Sequence, residues 1–354
     1  MSNLGLDAML ISQPESRRYL SGFTGQDTPP LDSAGYLLIT ASKALLLTDG
    51  RTVEQAEKEA AEYQVVRIDT RLPDTLAQIL PGMGLSRIAF EGNHLTIRLY
   101  EEVKAVVEPN TLLVPTYDLV DTMRAVKEPG ELEALRDAVA LADAAFAHLL
   151  GIAKPGVTER ELAWEIEAFL RTDGSEGVAF NPIVASGPNA SMPHHVPGDR
   201  PIQAGEPIIL DGGARVKGYC SDITRTVVIG EADEQFKRLY SVVLEAQTRA
   251  EQRIRAGMTG AKAYSLAQKV MAAAGLGEEL AHSLGHGVGL AIHEKPYLRK
   301  TSEEVLEDGM VFSIEPGVYL PGWGGIRIED LVTLRGGKPI VLTRSPKQLE
   351  AMEV

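Results

Sequence analysis

Two pairs of carboxylates lie symmetrically about two glycine-containing turns, and they constrain the fold more than any other feature of this sequence. Asp211 and Asp222 flank the first turn. Glu315 and Glu329 flank the second, which is centred on Gly322. If both segments are antiparallel hairpins, each pair lies directly opposed, with Cβ atoms roughly 4.5–5.5 Å apart, where like charges repel unless a cation lies between them. The pattern therefore predicts a metal site.

The charge and the available ligand types narrow that site. Four carboxylates carry four negative charges, which two divalent ions balance and one only half offsets. The single cysteine, Cys220, excludes internal disulfides and a cysteine-only metal site. His286 is the candidate nitrogen ligand, because the glycines on both sides of it allow close backbone approach. Oxygen ligands with one imidazole suit Mn, Co, Fe or Zn, and two carboxylate-bridged metals suit hydrolysis.

The remaining histidines fall into two groups. Loop-like segments suited to substrate contact contain the first group: His194, His195 and His293. We interpret the second group as structural hydrogen-bonding residues: His94, His148 and His282. Cys220 alternates with Asp222 along a predicted strand, and we interpret it as a small core residue in preference to a thiol near the site.

Composition excludes several classes of protein. A chain of 354 residues fits two domains. With 44% hydrophobic and 24% charged residues it matches soluble globular proteins, and no apolar run approaches the roughly 18–20 residues of a membrane span. The N-terminal segment lacks the pattern of a secretory signal, so we expect a cytoplasmic protein. The net charge of −14 argues against nucleic-acid binding.

Hydrophobic periodicity predicts a division near residue 125, with an α/β domain over 1–125 and an α+β domain over 126–354. The strands predicted for the first domain are two within 35–47, then Val65–Ile68, Arg87–Phe90 and Leu112–Val114. The predicted helices are Thr52–Ala61, Thr96–Val107, Glu131–Ala153, Thr158–Thr172, Glu234–Ala256 and Ala261–Ala274. A capping box at Thr158 and Glu161 marks one helix start. The segment GHGVG at 285–289 lacks the preceding strand and spacing of a dinucleotide-binding loop.

Four segments of the second domain resemble, in order, the signature motifs of one enzyme family. They are LDGGARVKGYCSDITRTVVIG, HSLGHGVGLAIHEKPYL, FSIEPGVY and GGIRIEDLV. These are similar to the pita-bread metallopeptidases, in the branch of Xaa-Pro dipeptidases (prolidases) and Xaa-Pro aminopeptidases. In the first domain, YLSGF at 19–23 and TDGR at 48–51 resemble the small creatinase-like N-terminal domain of that branch.

The resemblance implies a C-terminal pita-bread fold preceded by a smaller α/β domain, and a set of site residues. It implies that Asp211 binds the first of two divalent ions, that Asp222 and Glu329 bridge both, and that His286 and Glu315 complete the second. Manganese is the expected ion, with cobalt, zinc or iron as alternatives. The residues implied to contact substrate or to act in catalysis are His194, His293, Glu315 and Arg327. Arg327 is expected to orient Glu329, since the two share a strand face.

The expected substrates are proline-containing dipeptides or short peptides. A dipeptidase needs a cation for the proline carboxylate, and Arg299 lies where related dipeptidases place an arginine. We therefore favour a dipeptidase over an aminopeptidase that accepts longer peptides. A non-enzymatic binding module of the same fold is a further alternative, disfavoured because the ligand set is intact. The resemblance also implies a homodimer.

Overall fold

The computed structural model of the protein describes residues 4–27, 32–277 and 282–354. The chain divides into two units, Met1–Met123 and Arg124–Val354. The boundary predicted from the sequence was near residue 125. No helix among the described residues is long and apolar enough to cross a membrane.

The first unit is built on one six-stranded sheet, ordered β4-β3-β2-β1-β5-β6, in which only β2 runs antiparallel to its neighbours. Alternate side chains of the strands enter two separate apolar clusters, as expected for a sheet covered on both faces. The strands are β1 (Ala8–Ile11), β2 (Tyr36–Thr40), β3 (Ala44–Asp49), β4 (Gln64–Ile68), β5 (Arg87–Glu91) and β6 (Leu112–Thr116). The helices are α1 (Pro14–Ser21), α2 (Val53–Glu59), α3 (Leu72–Ile79), α4 (Ile97–Val107) and α5 (Leu119–Ala125).

The second unit combines four long helices with antiparallel strands, which agrees with the predicted α+β class. The helices are α6 (Pro129–Ile152), α7 (Glu159–Thr172), α8 (Glu234–Arg253) and α9 (Gly260–Ala273). The first strands are β7 (Gly177–Val178), β8 (Ile183–Ser186), β9 (Pro207–Gly212), β10 (Ala214–Val216), β11 (Tyr219–Cys220) and β12 (Ile223–Val228). The later strands are β13 (Gly285–Gly287), β14 (Glu294–Leu298), β15 (Val311–Ile314), β16 (Gly317–Leu320), β17 (Gly324–Arg327), β18 (Asp330–Arg335) and β19 (Lys338–Val341). The predicted capping box begins α7, where Glu161 and Thr158 exchange hydrogen bonds of 2.8 and 3.2 Å.

The second hairpin has the predicted register. β15 pairs with β18 and β16 with β17 in one continuous alignment, so Glu315 and Glu329 lie opposite one another where the first ladder passes into the second. Gly322 at the turn has φ of 82°, a left-handed conformation that glycine adopts without strain.

The predicted register of the first hairpin is wrong by two residues. Asp211 pairs with Thr224, not with Asp222. The turn residues are Lys217 and Gly218, with φ of 51° and 83°, so the turn is centred one residue further along the chain than a direct pairing of Asp211 with Asp222 requires. Two-residue turns with positive φ match the right-handed twist of the flanking strands, and glycine adopts positive φ without strain, which explains why the turn forms at Lys217 and Gly218. Because the shift is even, Asp222 stays on the same side of the hairpin as Asp211 and lies diagonally across from it.

Gly213 tests how closely this hairpin must pack. A Cβ atom at this position would lie 1.9 Å from the carbonyl oxygen of Ser221, a backbone atom that cannot rotate away. We expect Gly213→Ala to lower the free energy of unfolding by about 1–3 kcal/mol, as overpacking does, and to weaken metal binding by displacing Asp211 and Asp222. Urea denaturation and metal analysis measure the two effects.

Gly151→Ala is the matched control, because a Cβ atom in that part of α6 would meet nothing within 4 Å. Alanine is favoured over glycine in helices, so this variant should be as stable as the wild type or slightly more stable. Equal stability of the Gly213→Ala and Gly151→Ala variants would contradict the packing argument.

Candidate metal centre

A cavity of about 460 Å³ in the second unit is lined by every residue predicted to bind metal. Both predicted substrate-contacting histidines and Arg327 line it as well. Phe180, Pro193 and Ile292 supply apolar wall. The cavity therefore has a polar side and an apolar side. The polar lining comprises Asn181, His194, His195, Asp211, Asp222, His282, Ser283, His286, His293, Tyr297, Glu315, Arg327 and Glu329.

Strand termini position the predicted ligands. Asp211 lies one residue from the end of β9, Asp222 and Glu329 immediately precede β12 and β18, and Glu315 immediately follows β15. His286 lies at the centre of β13, between two glycines. A Cβ atom at either glycine would lie about 2 Å from a backbone carbonyl of β15 or β14, so both must be glycine for β13 to fit between those strands.

The tautomer of His286 suits it to metal binding. Its Nδ1 donates to the carbonyl of Gly287 at 3.1 Å, so Nε2 keeps its lone pair. Nε2 lies 3.3 Å from Oε1 of Glu315 and 3.6 Å from Oδ2 of Asp222. One donor atom each from Asp222, His286 and Glu329 lie within 4.8 Å of one another. Burial lowers the pKa of His286, which favours the neutral imidazole that a metal requires.

The carboxylates are short of positive charge. Burial, reinforced by repulsion from neighbouring carboxylates, raises the pKa values of Asp222 and Glu329 well above their usual range. Burial also raises the pKa of Glu315. Asp211 Oδ1 and Glu329 Oε1 are buried, and neither accepts a hydrogen bond from the described residues. Unpaired buried oxygens next to an imidazole lone pair fit divalent cations, which would supply the missing charge.

Arg327 contacts a different carboxylate from the one predicted. Its Nη2 donates to Asp211 Oδ2 at 2.6 Å, and its Nε donates to the hydroxyl of Thr224 at 3.1 Å. The hydroxyl of Thr224 in turn donates to Glu329 Oε2 at 2.7 Å. Arg327 therefore orients Asp211 directly and reaches Glu329 only through Thr224. The corrected hairpin register explains this, because it places Thr224 beside Asp211.

The backbone of Glu329 is held separately. The buried guanidinium of Arg225 donates to the carbonyl oxygen of Glu329, and its Nη2 donates to Oδ1 of Asp330 at 2.6 Å. Lys347 Nζ lies 2.5 Å from the second oxygen of Asp330. Both atoms of the Asp330 carboxylate thus have a cationic partner, which fixes the peptide that follows the predicted ligand.

Sequence reasoning missed Tyr319 and the placement of His282. Tyr319 accepts from Arg327 Nη1 at 2.9 Å, and its hydroxyl lies 2.8 Å from His282 Nε2 in the cavity wall. Burial raises the pKa of Tyr319 to about 12, so its hydroxyl can donate to His282. The glycines near Tyr319 in the sequence were the available signal that its side chain is closely packed. A Cβ atom at Gly317 or Gly325 would lie 2.5 or 2.8 Å from the Tyr319 side chain.

The other residues interpreted as structural lie away from this cavity. Cys220 is fully buried within an apolar cluster. His148 packs on Phe169, and its Nε2 lies 3.4 Å from Glu165. His94 lies in the first unit, 3.2 Å from the hydroxyl of Ser12.

Among the histidines that line the cavity, His194 and His293 are exposed, whereas His286 is buried. The ring of His293 lies edge-on to that of His286, with centroids 4.1 Å apart. Partial burial and the neighbouring histidines lower the pKa of His293 to about 4, so its ring is neutral at neutral pH.

Arg299 is exposed and is not among the residues that line the cavity. Its guanidinium carbon lies 5.2 Å from the ring centroid of Tyr297, which does line it.

Comparison with known proteins gives consistent matches along the chain. Residues 133–335 match metallopeptidase family M24, and residues 1–126 match the creatinase/prolidase N-terminal domain. An uncharacterised peptidase of Bacillus subtilis is 40% identical, covering 98% of this chain and 96% of its own. The Xaa-Pro dipeptidase of Pyrococcus furiosus is 35% identical over 99% and 97% of the two chains. The solved structure of an Xaa-Pro dipeptidase from Bacillus anthracis superimposes with a TM-score of 0.93 at 41% identity, covering 98% and 96%. The predicted resemblance and fold are confirmed.

Thr224 offers a test of the hydrogen-bonded link to Glu329. Thr224→Val removes the hydroxyl at constant shape, leaving Glu329 Oε2 without its donor and Arg327 Nε without its acceptor. We expect the affinity of the metal-free protein for Mn²⁺, measured by calorimetry, to fall about 10- to 100-fold, as it does for changes to residues that support metal ligands.

Thr333→Val is the matched control. Thr333 is also buried on a strand, but its hydroxyl has no hydrogen-bond partner among the described residues. Its replacement should leave the Mn²⁺ affinity unchanged. If both variants bind Mn²⁺ as tightly as the wild type, the hydroxyl of Thr224 does not support the centre.

Proposed function

The chain belongs to metallopeptidase family M24, with a creatinase/prolidase N-terminal domain, and from that premise we propose that it is an Xaa-Pro dipeptidase. The reaction is hydrolysis of the bond between an N-terminal residue and proline. The observation that carries the proposal is the cavity lined by four carboxylates and a neutral imidazole. Two of the carboxylate oxygens accept no hydrogen bond from the described residues. The Xaa-Pro dipeptidase activity named for two similar proteins supports the choice of substrate.

We propose that five residues hold two divalent ions. Asp211 would bind the first ion, His286 and Glu315 the second, and Asp222 and Glu329 both. Manganese is the proposed ion, with cobalt, zinc or iron as alternatives that an oxygen-rich site with one imidazole also accepts. When bound, such ions acidify water and polarise a carbonyl group.

Glu315 is proposed to move the proton. Burial raises its pKa, which suits a carboxylate that takes a proton from the attacking water and gives it to the departing proline nitrogen. The hydroxyl of Ser313 donates to Glu315 Oε1 at 3.0 Å and holds that oxygen beside the centre. Proline nitrogen must gain this proton to leave as an amine.

His293 and His194 are proposed to contact substrate. His293 is neutral at neutral pH, so one ring nitrogen can donate to the oxygen of the scissile carbonyl as negative charge develops there. His194, which also lines the cavity, is proposed to steady the leaving nitrogen or the tetrahedral intermediate. Arg327 is proposed to act through Asp211, whose carboxylate it holds at 2.6 Å.

Arg299 is proposed to bind the carboxylate of the substrate proline. The contact of its guanidinium with the ring of Tyr297, which lines the cavity, supports this proposal. We further propose that the protein is cytoplasmic and forms a homodimer. Gel filtration with light scattering measures the second point directly.

Asp222→Asn tests the metal-dependent reaction. The amide cannot supply the charge that two cations require, so we expect metal content to fall and kcat/KM to fall by more than about 100-fold, beyond the loss typical of supporting residues. Asp137→Asn is the control, since this exposed aspartate pairs with Lys217 at 3.5 Å, away from the cavity. Wild-type kcat/KM in the Asp222→Asn variant would contradict the proposed metal-dependent reaction.

Substrate length separates the proposed dipeptidase from its nearest alternative. A Xaa-Pro dipeptide should give a higher kcat/KM than the corresponding Xaa-Pro-Xaa tripeptide. Arg299→Ala should raise the KM for the dipeptide more than for the tripeptide, because only the dipeptide presents its carboxylate next to the proline ring. Preference for the tripeptide would indicate an Xaa-Pro aminopeptidase. A folded protein that binds no added Mn²⁺ and cleaves neither peptide would indicate a binding module.

A further inference from the structure

One wall of the cavity is an irregular segment that carries His194. Residues 193–197 all line the cavity, yet none lies in a helix or strand. Val196 in this segment is 80% exposed, so packing does little to restrain it. Loops of this kind open more readily than helices and strands, unless specific bonds restrain them. The position of His194 therefore depends on how the segment is tied to the rest of the second unit.

Glu159 is the tie. It is the first residue of α7, and its side chain is fully buried. Its Oε1 accepts from the backbone nitrogen and the hydroxyl of Ser186 at 2.8 and 2.7 Å, and from Asn189 Nδ2 at 3.0 Å. Its Oε2 accepts from His195 Nε2 at 2.8 Å, from the backbone nitrogen of Gly198 at 3.3 Å and, more weakly than Oε1, from Asn189 Nδ2 at 3.2 Å. One carboxylate thus joins rigid structure on one side to the irregular segment on the other.

The two oxygens of the Glu159 carboxylate mainly contact different parts of the second unit. The Oε1 contacts place the carboxylate against β8 and the short turn after it, which are well-packed parts of the unit. Burial raises the pKa of Glu159, but the hydrogen bonds from His195, Ser186 and Asn189 outweigh this and the pKa lies below its usual value. The group is therefore a fixed anion, and hydrogen bonds to an anion are stronger than those between neutral groups.

We propose that His195 is a positioning residue, which holds the neighbouring His194 in its working place by binding the buried carboxylate of Glu159. His194 lies in a turn that is closed by a hydrogen bond from the backbone amide of His195 to the carbonyl oxygen of Met192 at 3.1 Å, so a fixed His195 restrains the turn from which His194 projects. Through this contact the cavity wall keeps a defined geometry despite lacking secondary structure. The inference rests on the proposed function, since it assigns His194 to the reaction.

Two substitutions at position 195 separate the hydrogen bond from the bulk of the ring. In His195→Gln, the amide nitrogen can reach Glu159 much as Nε2 does, whereas His195→Leu fills similar space without a donor. We expect His195→Leu to lower kcat about 10- to 100-fold with little change in KM, because small misplacements of a reacting group cost that much. His195→Gln should recover most of the loss.

The matched control is His148→Leu. His148 also lies near a glutamate of α7, with Nε2 3.4 Å from Glu165, but both side chains are partly exposed and neither lines the cavity. This variant should have wild-type kcat and KM. Loss of activity in His148→Leu equal to that in His195→Leu would mean that any disturbed histidine contact of α7 has the same effect, and would overturn the proposal.

A double-mutant cycle tests whether His195 acts through His194. If it does, His195→Leu should change kcat little in a His194→Ala background, because there is no longer a side chain to misplace. Two independent contributions to catalysis would instead multiply, and that result would overturn the proposal. Unchanged kcat in the single His195→Leu variant would overturn it as well.

Hydrogen exchange of the metal-loaded protein provides a readout that does not depend on the reaction. The backbone amide of His195 donates to Met192 at 3.1 Å and that of Gly198 to Glu159, so both should exchange faster in His195→Leu and at the wild-type rate in His195→Gln. Unchanged exchange in His195→Leu would overturn the tie itself. If the wild type cleaves no Xaa-Pro peptide while these amides behave as expected, the proposed function fails and the structural role of His195 stands.

Discussion

Repulsion among four carboxylates enclosed in one cavity is the constraint on which the rest of the second unit depends. Like charges in a poorly hydrated site are costly, so each carboxylate must be held by the fold and compensated by a partner. Strand termini do the holding, because they bring Asp211, Asp222, Glu315 and Glu329 together from three separate ladders. The strand that carries His286, β13, fits between β14 and β15 only because glycine lies on both sides of that histidine.

The negative charges of the four carboxylates are not equally balanced by the protein's own cations. Arg327 places its guanidinium on Asp211, so one carboxylate of the four has a fixed cationic partner. Burial and repulsion raise the pKa values of Asp222 and Glu329 well above their usual range, and these are the two residues proposed to bind both ions. Among the four carboxylates, the guanidinium of Arg327 hydrogen-bonds only to Asp211, and Asp222 and Glu329 have no such cationic partner among the described residues. Carboxylates without a cationic partner favour divalent ions.

Features that depend on interactions between residues close in the sequence were predicted more accurately than features that depend on distant residues. Helix starts such as the capping box at Thr158 depend on neighbours within four residues, and the starts of the six predicted helices lie within two residues of the observed ones, although α1, α3 and α5 were not predicted. The register of the second hairpin followed from its symmetry about Gly322, but that of the first was wrong because its turn, at Lys217 and Gly218, lies one residue beyond the midpoint of Asp211 and Asp222. Arg327 was assigned to Glu329 from shared strand parity, whereas its partner Asp211 belongs to another sheet. Parity within a strand carries no information about the strand that lies across from it.

By itself the sequence determined the two-part organisation, the kinds of ligand, and the positions of the acids and imidazole, because these depend on residue types and on local periodicity. The motifs also identified the family. Only the tertiary structure decided which groups meet: Thr224 between Arg327 and Glu329, Tyr319 against His282, and His195 on Glu159. These pairs join segments up to about a hundred residues apart, and their contacts follow from how sheets and helices pack. The chemistry can therefore be read from the chain, whereas the arrangement that controls it arises on folding.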